Sequence, residues 1–438
     1  MPRDEATCGK IAAIMIESTA GARGGQPLSR RRKLWVVGLL YFAEGVPYGF
    51  INITLAVYFR SQGMPLPQIG FLSILGLAWS LKILWAPLVD RFGPRTAWII
   101  PAQLSLAVGL LIVPFFPVNP PPWSFWGVVA ALCVASATQD IAIDAYTIEL
   151  LAAQELGVAN GVRLGAYRMA LIAAGGGVIM LSDFLGWPAS FIGLALVLGV
   201  LSVIIFFAPE FHQPRPRLPS ARGQLRSRSQ LQQAIRGIWE LPHLWAIILF
   251  IMTFKLGDAW MGSMVSPFWV DMGFSRTEIG LMSGTVGAVA TIAGSLLGGY
   301  LTSRWGLAPA LFWLGVLQAL SNLGYWLAAW PDMWRYTTYL ASLGESLTGG
   351  MGSAPFMAFL MSLCDKRHSA THYAFFSMLF GFTRSLAGFL GGWGAAHFGY
   401  GPFFFYTFLA ALPAFALFPW ILPVAQLRER QVDATAKE

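Results

Sequence analysis

The sequence predicts an all-α polytopic membrane protein, with twelve transmembrane helices arranged as two pseudo-symmetric six-helix bundles. Composition gives the first reason: 56% of the 438 residues are hydrophobic and 11% are charged, whereas about a quarter of the residues of a soluble protein are charged. The second reason is a series of apolar segments that reach the roughly 20 residues a spanning helix needs. The third is that motifs of the first half return in the second.

Turn-forming and charged clusters such as "SQGMPLP", "DRFGPR" and "DKRHSATH" separate the apolar segments. Numbered as spans 1 to 12, the segments are residues 34–58, 68–89, 97–117, 123–150, 158–181, 187–207, 243–270, 277–302, 308–330, 335–362, 372–396 and 402–424. The predicted domains are an N-terminal tail (1–33), a first bundle (34–207), a basic linker (208–242), a second bundle (243–424) and a C-terminal tail (425–438).

The distribution of positive charge predicts the orientation. With an even number of spans both termini share one side, which collects the basic run 30–33, the arginines at 91 and 95, and the linker. Because cytoplasmic loops are enriched in Lys and Arg, we expect both termini and the linker to be cytosolic. The net charge of +8 is then a topology signal and not a nucleic-acid-binding surface, since such segments ordinarily face anionic lipid.

Ionisable residues inside the spans prefer particular helices. Spans 1, 4, 7 and 10, which open four three-helix repeats, carry Glu44, Asp140, Asp144, Lys255, Asp258 and Glu345. Spans 2, 5 and 11 carry Lys82, Arg168 and Arg384. Buried charges in a membrane are costly and usually functional, so this division predicts a water-filled pathway between two bundles.

The stretch "ASATQDIAIDAYTIELL" (135–151) places three acids on span 4. Asp140 and Asp144 are four residues apart and share a helix face. Two neighbouring carboxylates cannot both ionise cheaply, so we expect one of them to load and unload a proton, or to act as partner for a cation. The alternative is a structural ion pair, such as Asp140 with Arg168. Glu149, near the end of the span, is expected to be solvated.

Span 7 offers a second charged pair. Lys255 and Asp258 are three residues apart and neutralise each other, unless a proton on Asp258 frees Lys255 to attract an anion. Aromatic residues at similar depth, among them Tyr48 and Trp260, are expected to stack on rings of a cargo, with packing against lipid or core as the alternative.

Three pairs of motifs relate the two halves. Span 2 ends in "LVDRFG" (88–93), and span 8 ends in the similar "LTSRWG" (301–306). Span 2 is preceded by "GMPLPQIG" (63–70), and span 8 is preceded by "GFSRTEIG" (273–280). "YRMALIAAGGG" (167–177) in span 5 returns as "TRSLAGFLGG" (383–392) in span 11. Two parallel six-helix halves with a midplane site between them are how major facilitator transporters are built. "DRFGPR" also resembles the loop signature of that superfamily, which implies a gate formed by Asp90, Arg91 and Gly93; ordinary turn chemistry is the alternative.

Longer segments resemble the AmpG-type muropeptide permeases and the related acetyl-CoA transporters. These are "LKILWAPLVDR" (81–91), "ATQDIAIDAYTIELL" (137–151), "GAYR" (165–168), "FKLGDAWMGSMVSPF" (254–268), "LQALSNLGY" (317–325) and "GESLTGGMGSAPFMAFLMSLCDKRHSATHYA" (344–374). The resemblance covers roughly residues 38–420 and implies the major facilitator fold. It also implies proton-driven uptake of a small molecule through the inner (cytoplasmic) membrane, with the lipid bilayer as surroundings and the protein as a monomer.

The resemblance implies a site for an anhydro-sugar peptide with carboxylates, an amine and sugar rings. From the depth of the acids in the spans, we expect proton coupling to fall to Asp140, Asp144, Glu44, Asp258 and Glu345, and all of these except Glu44 lie in the family-like motifs. Substrate binding would fall to Lys255, Arg168, Arg384, Lys82, Gln139, Tyr48 and Trp260. Glu44 stands where muropeptide permeases are generally uncharged, which leaves another cargo open, such as a CoA ester, a siderophore or a peptide.

An enzyme is not expected, because the five histidines lie in loops or near span ends and no nucleophile is paired with a base. No cofactor is expected either. The three cysteines, Cys8, Cys133 and Cys364, lack the spacing of a metal site or a disulfide framework.

Overall fold

The computed structural model describes residues 28–151, 155–208, 211, 236–364 and 369–424. The regular structure in these residues is helical and contains no β-strand. In the first half, span 1 is Arg30–Ser61, span 2 is Leu66–Leu81 followed by Ala86–Arg91, span 3 is Thr96–Phe115, and span 4 is Trp123–Leu150. Spans 5 and 6 occupy Leu156–Leu171, Ile172–Gly177 and Val178–Phe207.

The helices of the second half follow the same order. Span 7 is Leu244–Phe254 and Leu256–Asp271, span 8 is Arg276–Trp305, span 9 is Leu307–Ala328, span 10 is Arg335–Ser362, span 11 is Ser369–Phe398, and span 12 is Tyr400–Ala416 with Phe418–Val424. The tails and most of the linker lie outside the described residues.

Seven helices of the described chain are long and apolar enough to cross a membrane, or eight if the two bent pieces of span 12 form one crossing. The count of twelve stays a prediction. One of the seven, Val158–Phe207, is 50 residues long, or about 75 Å at 1.5 Å per residue, whereas the hydrocarbon core is about 30 Å thick. It is kinked at Gly186, whose φ of +77° is accessible to glycine without strain, and this kink is where spans 5 and 6 divide.

Two lysines that the sequence places inside the spans occupy breaks in their helices. Lys82 begins a short 3₁₀ turn, Lys82–Leu84, between the two helical pieces of span 2. Lys255 separates the two pieces of span 7, with a φ of −106° and a ψ of 10°. A broken helix frees backbone groups that only protein or a cavity can satisfy within a membrane, so both breaks mark positions where the chain lines something other than lipid.

The repeated motifs of the two halves meet crosswise. Gly70 and Gly280 occupy equivalent places in one pair of motifs, and Gly176 and Gly392 occupy equivalent places in another. Gly70 packs against Gly392, and Gly176 packs against Gly280 so closely that a Cβ on Gly176 would overlap the Gly280 carbonyl oxygen. Small residues allow such backbone approach between membrane helices, and the crossed pairs place the two halves around a pseudo-twofold axis.

The apolar core is continuous at one end of the molecule and divided at the other. At the end opposite Arg30, one cluster joins residues of both halves, such as Tyr58 and Phe268. At the Arg30 end, the first half has its own cluster around Val36 and the second half has a separate one around Phe250. The two halves are therefore packed together at one end and apart at the other.

Candidate functional site

Three carboxylates form a cluster in the first half, where spans 1 and 4 face each other. One oxygen each of Glu44, Asp140 and Asp144 lies within 4.8 Å of the other two. Glu44 comes from span 1, while the two aspartates occupy successive turns on one face of span 4. Glu44 is only 8% exposed. These three residues are called the carboxylate cluster below.

Two cations and a tyrosine bind two of the three carboxylates. Lys82 forms an ion pair with Asp140. Asp144 accepts a hydrogen bond of 2.6 Å from the hydroxyl of Tyr41, and its carboxylate lies 3.2 Å from the guanidinium of Arg163. The Arg163 guanidinium also lies 4.5 Å above the ring centre of Tyr41. The cluster thus combines three acids with two bases.

The second half contains a buried lysine whose three donors are all engaged. Lys255 Nζ donates to Gln318 Oε1 at 2.6 Å and to the Gly349 carbonyl oxygen at 3.2 Å. Its distance to Asp258 Oδ2 is 3.4 Å. Glu345 lies one helical turn before Gly349 on span 10, where Ser346 contacts it at 3.4 Å. Lys255 and Asp258 are therefore paired in this conformation. This is the first alternative predicted from the sequence, in which the two charges neutralise each other.

A central cavity of about 310 Å³ lies between the halves and is lined by spans 1, 2, 7 and 11. Its charged lining residues are Asp258 and Arg384, both from the second half. Tyr48 and Trp79 form an aromatic wall on the side of the first half, with ring centres 5.4 Å apart. Arg384 interacts electrostatically with Tyr48, which lines the same cavity, so this pair crosses the boundary between the halves.

A second cavity of about 480 Å³ lies on the Arg30 side of the first. Lys82 and Asp144 line it, which brings the carboxylate cluster into contact with the cavity system. Trp79 and Ser80 line both cavities. These two residues of span 2 therefore separate the charged groups of the first half from the cavity that Asp258 lines.

Polar contacts between the halves reinforce the closed end. Arg60 Nε lies 2.5 Å from Asp271 Oδ1, and the other oxygen of Asp271 accepts a hydrogen bond of 2.6 Å from the Tyr400 hydroxyl. Asp183 accepts two hydrogen bonds from Thr277, from the backbone N–H at 3.1 Å and from the hydroxyl at 2.8 Å. The contacts use one carboxylate from each half, so a movement that opens this end has to break both.

Four of the predicted substrate-binding residues, Lys255 among them, line neither of these cavities. Gln139 is fully buried, and neither atom of its amide has a hydrogen-bond partner among the described residues. Trp260 packs edge-on against Phe403 with ring centres 5.8 Å apart. Arg168 forms no ion pair within the described part of the chain, and the ion pair weighed above for Asp140 is made with Lys82 instead.

The predicted gate lies at the Arg30 end of span 2. The side chain of Asp90 lies outside what the structure describes. Arg91 is exposed, with its guanidinium 5.5 Å from the ring centre of Phe92. Gly93 has a φ of +67° and follows the helix that ends at Arg91. The gating role of these residues stays a prediction.

Sequence reasoning missed three polar partners and misjudged one acid. Tyr41, Arg163 and Gln318 each bind a charged group that the sequence did identify. The signal for Tyr41 was available, since it precedes Glu44 by three residues on span 1. The expectation that Glu149 is solvated was wrong: it pairs with Arg95 at 2.9 Å, and its side chain is 12% exposed. Arg95 follows the Gly-Pro turn after span 2, and that turn directs it onto span 4.

Helices that span a membrane, charged groups in a central layer and one closed end together define a membrane transport protein. A family model described as Major Facilitator Superfamily matches residues 37–334 and 256–437. The chain belongs to the major facilitator superfamily. It is a multi-pass membrane protein and a secondary transporter that handles a small-molecule substrate, and not an enzyme.

The comparisons also confirm the AmpG-type resemblance. The anhydromuropeptide permease of Escherichia coli (strain K12) is 34% identical over 392 residues, which cover 86% of this chain and 77% of the permease. A bacterial homologue of the human lysosomal transporter Spinster, solved in an inward-facing and occupied conformation, has a TM-score of 0.71 at 13% identity, covering 93% of this chain and 99% of that chain. A D-xylose–proton symporter has a TM-score of 0.67 at 13% identity, covering 90% and 98%. At these identities the two solved structures support the fold alone.

Proposed function

We propose that this protein is a proton-coupled symporter that imports an anionic amphiphilic solute, with anhydromuropeptides as the first candidate, by alternating access through the cytoplasmic membrane. The observation that carries the proposal is the division of charge around one central cavity. The first half contributes a carboxylate cluster with an excess of acid, and the second half contributes Arg384 with no carboxylate partner among the described residues. The relative in Escherichia coli supports the choice of cargo.

The cargo side of the proposal rests on Arg384. An arginine inside a membrane protein is expensive to bury, and its planar guanidinium binds carboxylates through paired hydrogen bonds. It lines the cavity and forms no ion pair with a described carboxylate, which leaves its five donors for a ligand. The neighbouring rings of Tyr48 and Trp79 suit the apolar face of a sugar ring.

The transport cycle follows from the packing of the halves. With both termini in the cytosol, the closed end faces outward, and the conformation described here is inward-facing. Cargo and proton enter when the crossed glycine contacts and the Arg60–Asp271 pair separate. They leave through the second cavity when those contacts form again. We propose a monomer as the working unit, because each chain contributes both halves of the cavity.

Uptake of radiolabelled anhydromuropeptide by vesicles containing the purified full-length protein tests the proposal. We expect an inside-alkaline pH gradient to drive accumulation above the equilibrium level, and a protonophore to abolish it. Uptake that ignores the gradient would contradict proton coupling. Absence of uptake, or strong competition by a CoA ester, a siderophore or a free peptide, would contradict the cargo.

The same assay tests the role of Arg384. Arg384→Gln should raise the half-saturating concentration by about tenfold or more, because hydrogen bonds to charged groups contribute about 1.5–3 kcal/mol and 1.4 kcal/mol is a factor of ten. Arg304→Gln is the matched control, since Arg304 is exposed at the end of span 8. An unchanged uptake curve for Arg384→Gln would remove this residue from the site.

A further inference from the structure

The three acids of the carboxylate cluster have unequal partners. Asp144 accepts from the Tyr41 hydroxyl and pairs with Arg163, and Asp140 pairs with Lys82. Hydrogen bonds and ion pairs to the charged form stabilise that form. Asp140 and Asp144 each receive such a contact from groups of the first half.

Glu44 has no such support. It is the most buried acid of the cluster, at 8% exposure, and its Oε2 is buried without a hydrogen-bond partner among the described residues. One oxygen of its carboxyl group lies within 4.8 Å of an oxygen of Asp140. A protonated carboxyl group can donate a hydrogen bond to a neighbouring carboxylate, and Asp140 is the one of the two that has a cation beside it.

We infer that Glu44 is the residue that binds and releases the transported proton, with Asp140 as its hydrogen-bond acceptor. This inference rests on the proposed proton coupling and names the group that performs it. The charge around Glu44 fits one proton. With all groups ionised, three acids (Glu44, Asp140 and Asp144) face two bases (Lys82 and Arg163), and a single proton neutralises the cluster.

The groups that face Glu44 come from four helices. Span 1 itself contributes Tyr41, span 2 contributes Lys82, span 4 contributes the two aspartates, and span 5 contributes Tyr167 and Arg163. The bases are bound to the aspartates, so protonation of Glu44 leaves both ion pairs in place. Loss of that proton puts an unpaired charge next to Asp140 in a buried site, which favours a rearrangement that admits water.

Span 1 links this proton site to the central cavity. Tyr48 follows Glu44 by four residues and therefore lies on the same face one turn further on. Tyr48 lines the central cavity together with Arg384 of the opposite half. Tyr48 thus lies on span 1 between Glu44 and the arginine that faces the cargo.

Infrared difference spectroscopy of the purified full-length protein in lipid tests the assignment without any cargo. On acidification, the wild type should gain the carbonyl band of a protonated carboxylic acid, and Glu44→Gln should lack it. The matched control is Glu240→Gln, whose side chain is 62% exposed in a pair with Arg236. In vesicles, Glu44→Gln should lose pH-gradient-driven accumulation and retain exchange of labelled for unlabelled cargo, because exchange moves no net proton.

Several outcomes would overturn the assignment. These are an intact acid band in Glu44→Gln, gradient-driven accumulation equal to that of the wild type, or loss of the band in Asp140→Asn with retention in Glu44→Gln. Loss of the band on addition of sodium ions at constant pH would show that the site binds a metal cation and not the transported proton. If Glu44→Gln does not fold, Glu44→Asp should move the band in frequency, and an unmoved band would place the proton elsewhere. A wild type that shows the band and transports no anhydromuropeptide would contradict the proposed cargo alone.

Discussion

The charged side chains of this transporter fall into two groups, those with several polar partners and those with few. Lys255 has three acceptors, and Asp144 has two donors. Arg384 and Glu44, in contrast, form no ion pair among the described residues, and Glu44 Oε2 has no hydrogen-bond partner there. Because an uncompensated charge in a membrane costs several kcal/mol, these two residues are the ones that a ligand, either cargo or proton, would stabilise most.

The saturated donors of Lys255 lead to a stability prediction. Lys255→Met should lower the free energy of unfolding by about 3–5 kcal/mol, the usual cost of removing one partner of a buried ion pair. The reason is that Asp258 and Gln318 lose their donor. Thermal denaturation in detergent measures the effect.

The double variant with Asp258→Asn is the control for that measurement. It should recover part of the lost stability, because no unpaired carboxylate remains. A single variant as stable as the wild type, with weakened cargo binding, would instead support direct contact of Lys255 with the cargo.

At the scale of helices, irregular turns concentrate where the two halves meet. Spans 1, 5 and 8 each contain a π-helical segment, at Phe50–Thr54, Ile172–Gly177 and Gly280–Val286. The first two are in contact through Ile53 and Gly175, and the last two through the glycines of the repeated motifs. π-Helical turns are frequent at functional sites, and here the backbones of spans 5 and 8 touch within such turns at the closed end.

The glycine crossing gives a prediction for these helices. Gly176→Leu should prevent the closed end from forming, since a side chain at this position overlaps the backbone of Gly280. Spin labels at Gln62→Cys and Met272→Cys, which both lie in exposed turns at this end, should report a longer distance in the variant.

Gly193→Leu is the matched control, because a Cβ at Gly193 meets nothing within 4 Å. This variant should leave the distance between the labels unchanged. Equal distances in Gly176→Leu and the wild type would show that the crossing does not hold the end closed.

The whole molecule is asymmetric along its length. One apolar core joins the halves at the end opposite Arg30, and two separate cores lie at the other end. The cavities follow the same direction, with the second one on the Arg30 side of the first. The side of the membrane to which the cavities lead in this conformation therefore depends on which end faces the cytosol.

The proposed orientation can be measured directly. In a background without the native cysteines, a membrane-impermeant maleimide should label Gln62→Cys in intact cells and label Ser29→Cys only after permeabilisation. The physical reason is the excess of Lys and Arg at the Arg30 end, which keeps that end in the cytosol. The reverse labelling pattern would invert the orientation, and with it the inward-facing assignment.

The sequence by itself determined the membrane class, the superfamily and the residues that carry charge into the bilayer. These follow from local features, because the insertion cost of apolar and charged residues and the repeat of short motifs are properties of the chain. The glycines at which the two halves pack were also visible as repeats in the sequence. The sequence did not indicate, however, that Gly176 packs against Gly280, its partner across the halves, rather than against Gly392, its counterpart in the repeat.

Only the tertiary structure decided which charges are satisfied. Asp140 is paired with Lys82, Asp144 with Tyr41 and Arg163, and Glu149 with Arg95. Each pair joins different helices, so its geometry depends on how those helices pack and not on spacing along one of them. For the same reason Glu44 emerged as the unsupported acid only when spans 1, 2, 4 and 5 were assembled around it.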